Sequence, residues 1–211
     1  MGLNNPFGVK IIYKRGKNMS NNFINPLSID IKVNSALRDK RIYINGVIDD
    51  NLALEACHFM QRVYDNDIKN NVQNKEITLL INSYGGSVWA GNSIIGMINY
   101  LKSKGYKVIG IVQSMCFSMA FDILCNCDIR YGYSHSEYMI HQSQGGNPYG
   151  ALVKAERMLE YNKRQWNKSV EYYIKDTKIT KKQIKDLYEK DLEWFMLSEE
   201  ALELNVIQEI I

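Results

Sequence analysis

The chain has 211 residues, 45% of them hydrophobic and 23% charged, an ordinary globular composition that excludes a disordered or fibrous protein. Its length supports one well-packed domain and is short for two. A net charge of +3 is too small to argue for nucleic acid, and the Lys-rich stretch 175–190 alternates with acids as a solvated helix face does.

Residues 1–25 are polar, Asn-rich and basic, without the continuous apolar stretch of a signal peptide, and are expected to be a mobile segment ahead of the domain. Short β-branched runs at 29–33 and 41–48 read as strands. Leu52, Ala56, Phe59, Met60 and Val63 follow at helical spacing, so a helix is expected over 50–66. Ile77 to Ile81 is a compact strand running into Asn82-Ser83-Tyr84-Gly85-Gly86-Ser87. The two glycines suit a strand-to-helix turn, or a backbone amide left bare to meet a carbonyl oxygen. A helix is expected from Val88 to Lys102.

The strand–helix rhythm repeats with Val108–Val112, a helix from Ser118 to about Cys125, then strands at Ile129–Tyr133 and Tyr138–His141. Such alternation implies an α/β domain with largely parallel pairing. The apolar window 108–125 contains Gln113, Ser114, Ser118 and Asp122, so it is not expected to span a membrane. After Gln144-Gly145-Gly146-Asn147-Pro148 a long helix is expected over 149–176. One face carries Leu152, Ala155, Leu159, Trp166, Val170 and Tyr173, and its length suits a helix projecting towards another subunit. Thr180 can N-cap a helix to Leu187, Trp194–Leu197 reads as a short strand, and Ser198 can N-cap a last helix to Leu204.

Cys57, Cys116, Cys125 and Cys127 show no disulfide pattern, and Cys125-Asn126-Cys127 is too tight for the usual zinc spacing. Buried, reduced thiols favour a cytoplasmic compartment. Among the three histidines, His141 differs from His58 and His135 in ending an apolar strand. A helix-start serine (Ser118), a strand-end histidine and a Gly-Gly amide on successive α/β units are the parts of an acyl-transfer site. Histidine is the residue type that shuttles protons near neutrality.

Three blocks, Asn82-Ser83-Tyr84-Gly85-Gly86-Ser87-Val88, Phe117-Ser118-Met119-Ala120 and Met139-Ile140-His141-Gln142, resemble in order the signature blocks of the ClpP family, the proteolytic subunits of the Clp protease. The likeness runs from about Arg41 to the C-terminus. It implies a crotonase-like α/β peptidase domain over 26–211, with a handle helix at about 149–176 that interdigitates two stacked heptameric rings around a chamber. It also implies a serine endopeptidase that cuts unfolded polypeptides to short peptides, with an AAA+ unfoldase as the partner that spends ATP. The peptidase itself would need no metal or organic cofactor, and no membrane or nucleic-acid partner is expected.

Residue by residue, the resemblance puts Ser118 on the nucleophile and His141 on the general base. Gly86 and Met119 fall on the oxyanion-hole amides, and Gly145 and Gly146 on the segment that pairs with substrate as an added strand. The family's catalytic aspartate position is occupied by Glu193, with Asp191 as runner-up. Tyr84 stands where a proline is usual, and Leu192 where an arginine usually links ring pairing to site geometry. Alternatives carried forward are a non-catalytic ring subunit, a phage-type maturation protease of the same fold, and a crotonase-fold acyl-CoA enzyme.

Overall fold

The computed structural model describes residues 36–142 and 152–211. The mobile-segment expectation for 1–25, the strand expected at 29–33, and Gly145 and Gly146 lie outside the described residues. In chain order the elements are β1 (Arg41–Ile48), α1 (Asp50–Lys69), β2 (Glu76–Gly86), α2 (Val88–Ser103) and β3 (Lys107–Phe117). They continue with α3 (Met119–Cys125), β4 (Ile129–Gly132), β5 (Glu137–His141) and α4 (Leu152–Asp176). The chain closes with α5 (Lys181–Glu189), β6 (Glu193–Leu197), α6 (Ser198–Glu203) and β7 (Glu209–Ile210).

Local chemistry sets several of these boundaries. Asp49 caps α1, its carboxylate accepting from the Leu52 amide at 2.8 Å. Ser87 caps α2 in the same way, accepting from Ala90. Thr180 and Gln183 form a reciprocal capping box at the start of α5. Ser198 does not cap α6 as its position suggested. Leu197 is the cap residue, and the Ser198 hydroxyl, buried, shares its one proton instead between the carbonyls of Tyr133 and Ser136.

The sheet runs β1-β2-β3-β4-β7, all parallel, as the βα alternation requires. Its strands bury one residue in two, with Ile42, Ile44, Leu79, Ile81, Val108 and Val112 at the centre of the core. Ala53, Ala56, Met60 and Val63 of α1 and Ile94, Ile98 and Leu101 of α2 complete it. The core is thus apolar surface withdrawn from water between the buried face of the strands and these helices.

β3 departs from the short strand expected, continuing to Phe117 and forking the sheet. Its first part, Ile109–Val112, pairs with β4, while its end, Met115–Phe117, pairs with β5. β5 pairs in turn with β6, the one antiparallel partner among the described strands. Behind the fork, Arg130 is buried with its guanidinium on the carbonyls of Cys127, Asp176, Asn205 and Val206, tying β4 to the end of α4 and the C-terminal loop.

The long helix is divided in its burial. Trp166 and Tyr173 in its second half are buried against the core, whereas Leu159, near its start, is 55% exposed. The apolar face of this helix thus continues beyond the core it packs on.

Candidate active site

Register places the site. Phe117 stands opposite Met139 in the parallel β3–β5 pairing, and the Ser118 amide donates to the Met139 carbonyl at 2.8 Å. His141 follows Met139 on the same face of β5. Ser118 Oγ and His141 Nε2 are consequently 2.7 Å apart. Ser118 itself has φ 54° and ψ −122°, outside the regions open to most side chains. Holding a non-glycine residue there costs on the order of 1–3 kcal/mol, which the strand before and the helix after it must impose. Its hydroxyl makes no capping bond to α3, so it stays with the imidazole.

β6 supplies a carboxylate. His141 pairs with Glu193 in the antiparallel ladder, and Nδ1 lies 3.8 Å from Glu193 Oε1. That separation exceeds a hydrogen bond, and Nδ1 is a buried polar atom with no hydrogen-bond partner among the described residues. The His141 side chain is 16% exposed and that of Glu193 50%, so the carboxylate sits at the rim. Asp191, two residues earlier, takes a left-handed backbone (φ 50°) and accepts from the Gln142 side chain. Of the two acids, only Glu193 forms an ion-pair contact with the imidazole.

The glycine pair lies on the other side of the serine. It ends β2, with Val47 and Ile48 of β1 as its register partners, and is not a free turn. Gly85 has φ 95°, and a Cβ on it would fall 2.8 Å from the Phe117 carbonyl and from Ser118 Cβ, and 3.1 Å from the Met119 nitrogen. A Cβ on Gly86 (φ 151°) would fall 2.3 Å from the Ile48 carbonyl. Both positions therefore exclude any side chain. Ser83 braces the segment, its hydroxyl donating to the Gly46 carbonyl and accepting from the Gly85 amide. Met119 opens α3, where the first amides have no partner inside the helix. A missing Cβ at Gly91 of α2 makes room for the Met119 side chain.

These parts surround one cleft of about 310 Å³, lined by Tyr84, Gly85, Gly86, Ser118, Met119 and His141 on one side. Trp166, Ser169 and Tyr173 of α4 line the other. The α4 residues were not singled out as site residues from sequence; Trp166 and Tyr173 read as an apolar helix face. Beneath them Asp122, buried in α3, accepts hydrogen bonds from Ser169 Oγ at 2.5 Å and from Tyr173 OH. Burial pushes the Asp122 carboxyl up to about 6, with the two hydroxyl bonds opposing. An acid inside the run Met119–Cys125 was the one available signal for this cluster.

The four cysteines are free, and burial raises the thiols of Cys116, Cys125 and Cys127. Among the described residues no cluster of His, Cys, Asp or Glu has the makings of a metal site, and no helix is long and apolar enough to cross a membrane.

Residues 27–211 match the family described as Clp protease. The chain is 32% identical over 183 residues to the ATP-dependent Clp protease proteolytic subunit of Streptococcus uberis, covering 82% of this chain and 85% of that protein. It is 31% identical to the proteins of the same name from Streptococcus mutans, with the same coverage, and from Lactococcus lactis subsp. cremoris, with 82% and 84% covered. The forked parallel sheet and the serine–histidine contact accord with that likeness, and the chain belongs to the Clp protease family as a serine peptidase of the ClpP type.

Proposed function

We propose that Ser118 is the nucleophile, His141 the general base and Glu193 the carboxylate that orients the imidazole, with the amides of Gly86 and Met119 as the oxyanion hole. The observation carrying this is the 2.7 Å approach of Ser118 Oγ to His141 Nε2 beside a segment stripped of Cβ atoms. With the proton on Nδ1, Nε2 accepts the Ser118 hydroxyl proton as Oγ attacks the scissile carbonyl. The imidazolium then carries Nδ1–H towards Glu193, whose charge offsets it. Charge on the carbonyl oxygen is met by preorganised amides, and water hydrolyses the acyl-enzyme after His141 protonates the departing amine. This sequence uses no metal or organic cofactor.

Substrates are unfolded polypeptides, held as an added strand along Gly145–Gly146, a mode that needs little side-chain selectivity. The assembly is a pair of stacked heptameric rings with α4 as the handle, supported by the exposed apolar start of that helix. An AAA+ unfoldase feeds the chamber and consumes the ATP, in keeping with the "ATP-dependent" in the relatives' names. Four free thiols support a cytoplasmic setting.

A fluorophosphonate probe tests the site: it labels the wild type at Ser118 and leaves Ser118→Ala unlabelled. Absence of labelling in every assembled form overturns the assignment. Native mass measurement of the intact assembly tests the ring stoichiometry.

A further inference from the structure

The wall of the cleft opposite Ser118 is polar where its neighbours are not. Ser169 and Tyr173 face the cleft with Trp166, yet both hydroxyls point their protons away from it, into the Asp122 carboxylate. A hydroxyl has one proton to give. Once that proton is committed to Asp122, each oxygen is left with lone pairs alone, so these two hydroxyls accept hydrogen bonds from the cleft and donate none to it.

The charge behind that wall is uncompensated. Asp122 is 7% exposed, and among the described residues no lysine, arginine or histidine forms an ion pair with it. Arg130, also buried, is occupied by four backbone carbonyls. Burial and Asp122 both push the Tyr173 hydroxyl upward, so its proton stays available to the carboxylate. A buried carboxylate held by neutral donors alone is destabilised by lost solvation, which an incoming cation offsets. A long side chain carrying a cationic donor matches this wall in both hydrogen-bond sense and charge, whereas an apolar chain covers the acceptors without satisfying them.

Resting on the peptidase reading above, we propose that Asp122 is a specificity-determining residue which, through Ser169 and Tyr173, favours lysine at the substrate residue whose carbonyl Ser118 attacks. The choice among donors falls on lysine because its four-carbon stem packs on Trp166 and Met119 while its ammonium reaches the hydroxyls. Selectivity at that one side chain is compatible with backbone pairing elsewhere along the substrate.

The test compares two peptides, identical except for lysine or norleucine before the scissile bond, cleaved by the assembled full-length protein. The quantity read is the ratio of their kcat/KM values within each protein, which cancels any loss common to both substrates. In the wild type the lysine peptide is expected to lead by about tenfold, the discrimination a site built to pair a polar group readily supplies. Asp122→Asn, nearly isosteric, brings the ratio to about one, and Ser169→Ala lowers it in the same direction. A wild type that prefers norleucine, or a ratio unchanged in Asp122→Asn, overturns the proposal while fluorophosphonate labelling of Ser118 leaves the peptidase reading standing. No labelling and no turnover in any protein overturns both.

Discussion

His141 and Glu193 face each other across the β5–β6 ladder, with Nδ1 and Oε1 3.8 Å apart. The ladder fixes the two backbones, but the glutamate side chain is half exposed and has its own torsions to spend. Closing the gap to hydrogen-bond length takes a shift of roughly 1 Å, within reach of such a side chain. Its charge is partly screened by solvent at that rim, so its leverage on the imidazole is smaller than that of a buried aspartate.

Glu193→Gln is expected to lower kcat for peptide hydrolysis by roughly 10²-fold, less than the ~10⁴ lost when a fully buried triad aspartate becomes asparagine. Asp191→Asn, altering a residue engaged with Gln142, is expected to change kcat by less than about threefold. Steady-state kinetics on one fluorogenic peptide checks both. A larger loss in Asp191→Asn would reverse the assignment of the third member.

Gly86→Ala puts a methyl 2.3 Å from the Ile48 carbonyl, a backbone atom locked in the β1–β2 pairing. With φ at 151° as well, the substitution is expected to cost on the order of 3 kcal/mol in unfolding free energy. Gly85→Ala presses on Ser118 Cβ, so its effect falls on the proposed nucleophile. Fluorophosphonate labelling of that variant should slow by about 10²-fold, the usual consequence of an ångström-scale misplacement.

Asp122 makes stability depend on pH in a defined direction. Its carboxyl is raised from 3.8 to about 6 by burial, so the folded state holds the proton more tightly than the unfolded chain does. Stability from this group is therefore greatest below about pH 4 and is lost as pH rises through about 6. The difference corresponds to roughly 3 kcal/mol. Groups around it include Ser169, Tyr172 and Tyr173 on α4 and the Cys116 and Cys125 thiols. In denaturant titrations at pH 4 and pH 7.5, wild type should lose stability relative to Asp122→Asn by about that amount at the higher pH.

Arg130→Met leaves the carbonyls of Val206, Asn205, Asp176 and Cys127 without their shared donor. The expected cost is about 3 kcal/mol or more, since the buried acceptors lose this donor without regaining water, the Asp176 carbonyl alone keeping a second donor in the Asn205 side chain. A thermal unfolding midpoint lowered by several degrees, with β7 and the end of α4 the first to exchange amide hydrogens, is the readout.

Much of this molecule could be read along the chain. The spacing of Leu52, Ala56, Met60 and Val63 gave a helix, the β-branched runs gave strands, and their alternation gave parallel pairing, because those signals act over a few residues. Ser118 and His141 stood out through what precedes and follows each. What the chain order could not supply was anything that depends on how far a strand runs or which strand it meets. The fork of β3, and with it the placing of Ser118 beside His141, comes from a register set by packing across more than twenty residues. The antiparallel return of β6 put Glu193, and not Asp191, opposite the imidazole. Seating α4 on α3 turned an acid in an apolar run and two residues some fifty positions later into one buried cluster under the cleft. Local preferences are encoded by neighbours in sequence, whereas a site is made by neighbours in space, and only the folded chain brings those together.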